Sequence, residues 1–155
     1  NQWCVLDFAV KTVSELASFS ESVIIDNNLI IGIEEGVLVS EEMFAVKGLA
    51  DIEITPGKNG FGTGTKVNLI LGESVVNTYY VAVNGDINGD LYIDAFDLTW
   101  SLAITNFEVV FDVTSPYFVS ADVNKDGVCD IFDSEIISEM MLYYDVNTNQ
   151  TEEKE

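Results

Sequence analysis

The first half of the chain places short apolar runs on either side of turn residues, a pattern typical of β-strands. Apolar runs over 22–26 and 29–33 flank Asn27 and Asn28, and this arrangement favours the tight turn of a β-hairpin. Residues 51–55 alternate apolar and polar side chains with a period of two, which predicts a half-buried strand. These segments together predict antiparallel β structure.

Four other segments complete this half. Strands are expected over 67–71 and 75–83, because two apolar runs are joined there by a Gly-Glu turn. Ser40 precedes two glutamates, and a capping residue followed by acidic side chains predicts the start of a short helix. The run from Trp3 to Phe19 predicts a strand followed by a helix. The first half is therefore predicted to contain five strands and one short helix, besides this N-terminal run.

The second half changes to the three- and four-residue spacing of amphipathic helices. The apolar faces of two predicted helices are marked by Leu98, Leu102 and Thr105, and by Ile136, Ile137, Met140, Met141 and Tyr144. Ser115 followed by Pro116 is typical of a helix N-terminus and predicts a short helix over 117–121. The predicted fold class is α+β, with a small β-rich module packed on a helical module.

The charge of the chain restricts its function. Its 155 residues include 27 acidic side chains, six lysines, no arginine and no histidine, and the net charge is −21. Such a charge argues against nucleic acid and anionic membranes as partners, because both are polyanions. Without histidine, Ser-His-Asp catalysis and histidine-based metal sites are excluded. In addition, no apolar run approaches the roughly 20 residues of a membrane span.

The acidic residues are distributed unevenly, and the change marks a boundary near Gly85. Residues 85–147 hold 13 acidic residues and one lysine, a net charge of −12, whereas residues 1–84 hold 11 and four, a net charge of −7. We therefore divide the chain into a β-rich module, 1–84, whose residues 1–20 are a lead-in, a helical module, 85–147, and an acidic tail, 148–155.

The helical module contains a twelve-residue repeat. Residues 86–97 recur as residues 122–133 with six identical positions, and five of those six carry side-chain oxygen. Calcium binds six to eight oxygens at about 2.3–2.6 Å, and a tight loop turns alternate side chains onto one point. The repeat therefore predicts two calcium sites of EF-hand type rather than a solvated acidic turn.

Six residues in each loop are candidate calcium ligands. They are the side chains at the first, third, fifth, ninth and twelfth positions and the backbone carbonyl at the seventh. In the first loop they are Asp86, Asn88, Asp90, Tyr92, Asp94 and Asp97, and in the second loop Asp122, Asn124, Asp126, Val128, Asp130 and Asp133.

Two positions depart from the standard EF-hand. The twelfth residue is Asp97 or Asp133 where the standard loop has glutamate, so we expect a different coordination from the shorter arm. The sixth residue of the first loop is Leu91, where glycine normally allows a positive φ, whereas the second loop keeps Gly127. We therefore expect the second loop to be the better formed.

This duplicated loop-and-helix pattern, with aspartate at the twelfth position, resembles a dockerin. The resemblance covers about residues 85–145, and the segment 22–83 is similar to the small β-rich X modules found ahead of dockerins. Dockerins bind cohesin domains in a calcium-dependent way and attach cargo to the scaffoldins of extracellular bacterial assemblies such as cellulosomes. The resemblance implies a secreted anchoring module, not an enzyme, with two calcium ions, a cohesin partner and upstream cargo.

The resemblance also implies where a cohesin would bind, at the start of the helix after each loop. The expected contact residues are Ala95, Phe96, Thr99, Trp100, Ile131, Phe132, Glu135 and Ile136. The pairs at the tenth and eleventh loop positions are apolar, which favours a hydrophobic recognition patch. The alternative is that Phe96 and Phe132 belong to the core.

Two other functions remain open. A stand-alone extracellular calcium-binding module without a cohesin partner would need the same loops. An enzyme with a pair of catalytic carboxylates is disfavoured, because the best-placed acids are assigned to calcium and the chain is short for a sugar-binding cleft.

The glycine-rich stretch 60–66 superficially suggests a phosphate-binding loop. That motif ends in Gly-Lys-Ser/Thr and leads into a helix, whereas here Thr65 precedes the lysine and a strand is expected next. We interpret the stretch as a turn.

The two cysteines, Cys4 and Cys129, lie far apart in sequence and do not share the spacing of a metal site. We expect two separate buried thiols. A long-range disulfide is the alternative if the compartment is oxidising.

Overall fold

A computed structural model of the chain describes residues 14–149 and shows a mixed α+β fold, as predicted. Within these residues the strands are β1 (Glu15–Ser18), β2 (Ile24–Asp26), β3 (Leu29–Ile31), β4 (Phe44–Lys47), β5 (Asp51–Thr55), β6 (Lys66–Leu71) and β7 (Ser74–Ala82). The α-helices are α1 (Ala95–Thr105), α2 (Pro116–Ala121) and α3 (Ile131–Asn149).

Five of the strands form one sheet in the order β2-β3-β7-β6-β5, and β1 pairs with β4 in a separate two-stranded ribbon. Neighbouring strands are antiparallel except β3 and β7, which run parallel. The hairpin predicted over 22–33 is confirmed, because β2 and β3 pair across Asn27 and Asn28. These asparagines have φ angles of 46° and 65°, as the tight hairpin turn requires.

The other elements predicted for the β-rich half are also found. Strand β5 coincides with the predicted segment 51–55, and β6 and β7 form the hairpin predicted over 67–83. Gly72 takes a φ of 65° in the turn between them. The helix predicted after Ser40 is a single turn of 3-10 helix, Glu41–Met43.

The prediction for the run Trp3–Phe19 is wrong where the structure describes it, because residues 15–18 form strand β1 instead of a helix. Strand β1 pairs with β4, which the apolar pattern did not reveal. Leu16 belongs to the β-rich core, and its N–H donates to the Tyr79 hydroxyl at 3.2 Å. These long-range contacts decide the conformation of a run whose own periodicity fits neither element. The rest of the run, up to residue 13, lies outside the described residues.

The helical half contains the three predicted helices. The Ser115 hydroxyl caps α2 by accepting a backbone N–H of its first turn at 3.3 Å. Helices α1 and α3 pack together, with the Ser101 and Ser134 hydroxyl oxygens 2.7 Å apart. Further along α3, Met140 lies beside Ile93, which precedes α1, so the two helices run antiparallel. Among the described helices, none combines the length and apolar character needed to span a membrane.

Each half has its own hydrophobic core. The β-rich core includes four side chains without exposed surface, Ile30, Val67, Leu69 and Val81. The helical core is formed by Ile87, Ile93, Ile104, Ala121, Val123 and Ile137. Because both repeat loops contribute to this second core, packing of the helical half fixes the position of each loop.

Candidate metal centre

The two twelve-residue loops have the same backbone turns. Their fourth residues, Gly89 and Lys125, have φ angles of 85° and 62°, and their sixth residues, Leu91 and Gly127, both have a φ of 88°. The left-handed conformation costs a residue such as leucine about 1–2 kcal/mol. Leu91 is buried, and burial of a leucine side chain contributes about 1.5–3 kcal/mol to the stability of the fold, which offsets this cost. Leucine at the sixth position therefore leaves the first loop with the same turn that Gly127 gives the second.

The side-chain hydrogen bonds of the two loops match as well. Asp86 and Asp122, at the first position, accept the N–H groups of the fifth and sixth residues at 2.9 to 3.2 Å. Asp90 and Asp126, at the fifth position, accept the N–H of the seventh residue at 3.0 and 2.9 Å. The asparagine amide at the third position donates to the same aspartate at 3.0 and 3.1 Å. These bonds bring the three side chains of each loop together.

The twelfth residues, Asp97 and Asp133, join the two ends of each loop. One carboxylate oxygen accepts the N–H of the third residue, at 2.9 Å in the first loop and 3.2 Å in the second. The other oxygen accepts the N–H of the ninth residue at 2.9 Å in both loops. Both side chains are fully buried. The short arm of aspartate thus fastens each loop to the first turn of the helix that follows.

The ninth residues cap the helices. Asp94 and Asp130 each accept the N–H of the phenylalanine two residues later, at 2.7 and 2.8 Å. At the seventh position, the side chains of Tyr92 and Val128 are exposed. The use of their backbone carbonyls as ligands stays a prediction.

Three carboxylates converge in the first loop. One oxygen from each of Asp86, Asp90 and Asp97 lies within 4.8 Å of the other two. Two oxygens that bind one calcium ion from opposite sides are about 5 Å apart, so these three are close enough to share one ion. Within the described part of the chain, this convergence is found in the first loop and not in the second. In the convergence of its carboxylates the first loop is ahead of the second, contrary to the expectation that the second loop is the better formed.

Asp86 and Asp97 form a buried anionic pair. Neither has exposed surface, and their hydrogen-bond donors are backbone N–H groups, four for Asp86 and three for Asp97. Burial raises the pKa of both carboxyl groups, to about 6 for Asp97, and a neighbouring carboxylate adds to each rise. Buried charges of one sign are costly unless a cation pairs with them. This all-oxygen donor set fits a hard cation such as calcium.

The residues expected at a partner surface lie on the outside of the helices. Phe96, Ile131 and Phe132 are 65%, 46% and 61% exposed, so neither phenylalanine is a core residue. Trp100 is partly covered, because its ring stacks on Phe111 with 6.2 Å between the ring centroids. The remaining four are exposed or, for the last, half-buried against the helical core: Ala95, Thr99, Glu135 and Ile136.

The structure adds residues of the β-rich half that the sequence reasoning missed. The Thr63 N–H donates to Asp86 Oδ2 at 2.9 Å, and Glu35 Oε1 accepts the Ile93 N–H at 2.7 Å. Burial raises the pKa of the Glu35 carboxyl, the Ile93 N–H opposes this rise, and the first-loop aspartates add to it. The glycine-rich stretch around Thr63 is the sequence signal for this contact, because glycines allow a close approach of backbones.

Cys129 occupies the eighth position of the second loop and is a free thiol, as expected, but it is half-buried and not buried. Its Sγ lies 3.6 Å from the Phe118 carbonyl oxygen, and burial raises the pKa of the thiol to about 12. Cys4 lies outside the described residues.

A scan against protein-family models, a search of curated proteins and a search of solved structures each found no match for this chain.

Proposed function

We propose that this chain is a calcium-dependent anchoring module of the dockerin type, which binds a cohesin domain and attaches upstream cargo to an extracellular bacterial scaffold. The observation that carries the proposal is the pair of loops with the same left-handed turns and matched carboxylate hydrogen bonds. An acidic surface turn does not need this arrangement twice in one chain, or fully buried aspartates at its twelfth position.

Each loop is proposed to hold one calcium ion through the six ligands expected from the repeat. Calcium supplies positive charge, and the carboxylates that would hold it include the fully buried Asp86, Asp97 and Asp133. Since α1 and α3 begin inside the two loops, a loop with a fixed shape also fixes the start of its helix. Calcium dependence of partner binding follows from this geometry.

The starts of α1 and α3 are proposed to form the partner surface. Rigidly placed side chains lose little freedom on binding, and aromatic anchors typically dominate the energy of an interface. We favour the start of α3, because Ile131 and Phe132 are both large and exposed there, whereas Phe96 on α1 has only the small Ala95 beside it.

No catalytic role is proposed for the chain. Its well-placed carboxylates are committed to the two loops, and it carries no histidine. The net charge of −21 disfavours nucleic acid as a partner. An extracellular location belongs to the same proposal, because millimolar calcium is available to modules of weak to moderate affinity there.

A pull-down with a panel of immobilised cohesin domains tests the proposed function. In calcium, we expect at least one class of cohesin to retain the chain, and we expect the chelator EGTA to abolish retention. Retention that EGTA leaves unchanged would contradict the calcium dependence. If the chain binds calcium but no cohesin retains it, the alternative of a stand-alone calcium-binding module is favoured.

A further inference from the structure

The β-rich half holds the first loop through direct hydrogen bonds. Besides the Thr63 N–H on Asp86, the Asn59 side-chain amide donates to the Asn88 carbonyl at 2.7 Å. These two contacts reach the first and third positions of the loop, where ligand side chains originate. We call residues 35–36 and 59–63 together the clasp.

The other side of the clasp holds the second half of the same loop. The Gly36 N–H donates to the Leu91 carbonyl at 3.0 Å, and the Glu35 carboxylate accepts the Ile93 N–H at 2.7 Å. Leu91 and Ile93 are buried, so the N–H of Ile93 would lack a hydrogen-bond partner if Glu35 were removed. Two separate segments of the β-rich half therefore form hydrogen bonds with the first loop.

Two glycines make this close approach possible. A Cβ atom on Gly62 would lie 1.9 Å from Asp86 Oδ2 and 2.5 Å from the Leu91 nitrogen. A Cβ atom on Gly89 would lie 2.4 Å from the Thr63 carbonyl oxygen. Any side chain at either position would push the clasp and the loop apart, which gives the glycine-rich stretch a role beyond that of a turn.

The second loop has no such support. Among the described residues, no hydrogen bond joins the β-rich half to residues 122–133. Asn124, Lys125 and Asp126 are exposed, and a Cβ atom on Gly127 would meet nothing within 4 Å. The two loops therefore share their backbone turns and matched side-chain hydrogen bonds but differ in their surroundings.

We propose that Glu35 and Thr63 are positioning residues of the first metal site, and that the clasp makes this site slow to release its ion while the second site exchanges freely. This inference rests on the proposed binding of calcium by both loops. The clasp holds the first loop in shape, so the loop opens only when contacts with the β-rich half break. The second loop opens locally. When the calcium concentration changes, the second site then gains or loses its ion first, and this site lies beside Ile131 and Phe132.

Release rates from single-site proteins test the proposal. In the full chain, Asp126→Ala leaves the first site intact and Asp90→Ala leaves the second. Each calcium-loaded protein is mixed with an excess of fluorescent chelator in a stopped-flow instrument. We expect release from the first site to be slower by about tenfold or more, because breaking even one buried contact costs about that factor.

Variants of the clasp separate positioning from general stability. In the Asp126→Ala protein, Glu35→Ala removes the acceptor for Ile93, and we expect release to accelerate by about tenfold. Glu35→Gln keeps an acceptor oxygen and should restore slow release. Glu34→Ala, the loss of an exposed neighbouring carboxylate, is the matched control and should change nothing. In the Asp90→Ala protein, Glu35→Ala should leave release from the second site unchanged.

Gly62→Ala provides a second, independent perturbation, with Gly72→Ala as its control, since a Cβ atom on Gly72 meets nothing within 4 Å. Circular dichroism establishes that each variant is folded, and if Gly62→Ala is not, the Glu35 series decides. Equal release rates from the two sites, or no acceleration by Glu35→Ala, would overturn the clasp while calcium binding stands. If neither single-site protein binds calcium and the parent chain does not bind it either, the proposed function itself is overturned.

Discussion

Single residues with positive φ angles set the shape of both loops. Gly127, at the sixth position of the second loop, has a φ of 88°. Gly72 lies outside both loops, in the turn between β6 and β7, and has a φ of 65°. A Cβ atom at either position would meet no neighbour within 4 Å. Alanine at each position therefore costs about 1–2 kcal/mol of backbone energy without a steric clash. We expect Gly127→Ala to weaken calcium binding at the second loop by about tenfold, and Gly72→Ala to leave it unchanged. Calorimetric titration measures both, and equal affinities would show that the left-handed turn is irrelevant to the metal.

The buried Asp97 predicts an unusual pH dependence of the metal-free chain. Its pKa is raised from 3.8 to about 6, mainly by burial, so the folded chain binds this proton more tightly than the unfolded chain. The free energy of unfolding of the metal-free chain therefore falls as the pH rises from 3.8 to about 6, and it recovers as the pH is lowered over the same range. The contribution is about 3 kcal/mol across this window.

Thermal melts in excess EDTA between pH 5 and pH 7 measure this effect. We expect a higher Tm at pH 5, and we expect Asp97→Asn to remove this part of the dependence. That variant is less stable at every pH, because an amide replaces one of the two oxygens that accept N–H groups at the ends of the loop. A Tm that rises steadily from pH 5 to pH 7 would be inconsistent with a raised pKa.

At the residue scale, the sequence could predict the position of the two matched loops but not their surroundings. The spacing of aspartates and asparagines in 86–97 and 122–133 is the spacing that a calcium coordination shell requires, and calcium binding itself stays a prediction. The φ angle of Leu91 could not be predicted, since leucine rarely adopts it and only its burial in this fold compensates the cost. The approach of Thr63 to Asp86 joins residues 23 apart in sequence, and local patterns do not record such contacts.

Among the elements, those with strong local signals were predicted and those formed by distant pairing were not. The β2-β3 hairpin follows from two asparagines that tolerate positive φ, and α2 follows from a serine cap with proline behind it. Strands β1 and β4 are four residues each and pair across about 30 residues of chain, so neither has an alternation long enough to read.

The start of α3 carries the prediction for the partner surface. The double change Ile131→Asp with Phe132→Asp is expected to weaken cohesin binding by about 30-fold or more, because buried aromatic anchors typically contribute about 2 kcal/mol or more. Calcium binding should survive, since both side chains are exposed and the ligands are untouched.

The same change on α1, Ala95→Asp with Phe96→Asp, is the matched control and is expected to have the smaller effect. Surface plasmon resonance with an immobilised cohesin provides the affinities, and circular dichroism shows that both variants fold. If both bind as the parent does, the recognition surface lies elsewhere on the molecule. If either loses calcium and unfolds, these side chains are structural.

At the scale of the whole molecule, the two halves are expected to unfold together. The Thr63 N–H donates to Asp86 Oδ2 at 2.9 Å, and the Gly36 N–H donates to the Leu91 carbonyl at 3.0 Å, so contacts cross between the halves at separate places. Differential scanning calorimetry of the calcium-loaded chain should show one transition, which shifts to lower temperature in EGTA. Two separate transitions in calcium would mean that the halves are independent.

The sequence predicts a division near Gly85, because acidity and periodicity both change there. The sequence could not indicate that the β-rich half forms hydrogen bonds with the first loop and leaves the second loop exposed. The two loops are similar in sequence, and their difference arises from tertiary contacts with residues 35–36 and 59–63.

The most direct test of the central claim, that the duplicated loops are a pair of calcium sites, is the number of ions bound, measured by isothermal titration calorimetry. We expect two ions for the parent chain and one for each of Asp90→Ala and Asp126→Ala. Asp112→Ala removes an exposed carboxylate outside both loops and should keep two. A parent chain that binds no calcium, or loop variants that still bind two ions, would contradict the claim.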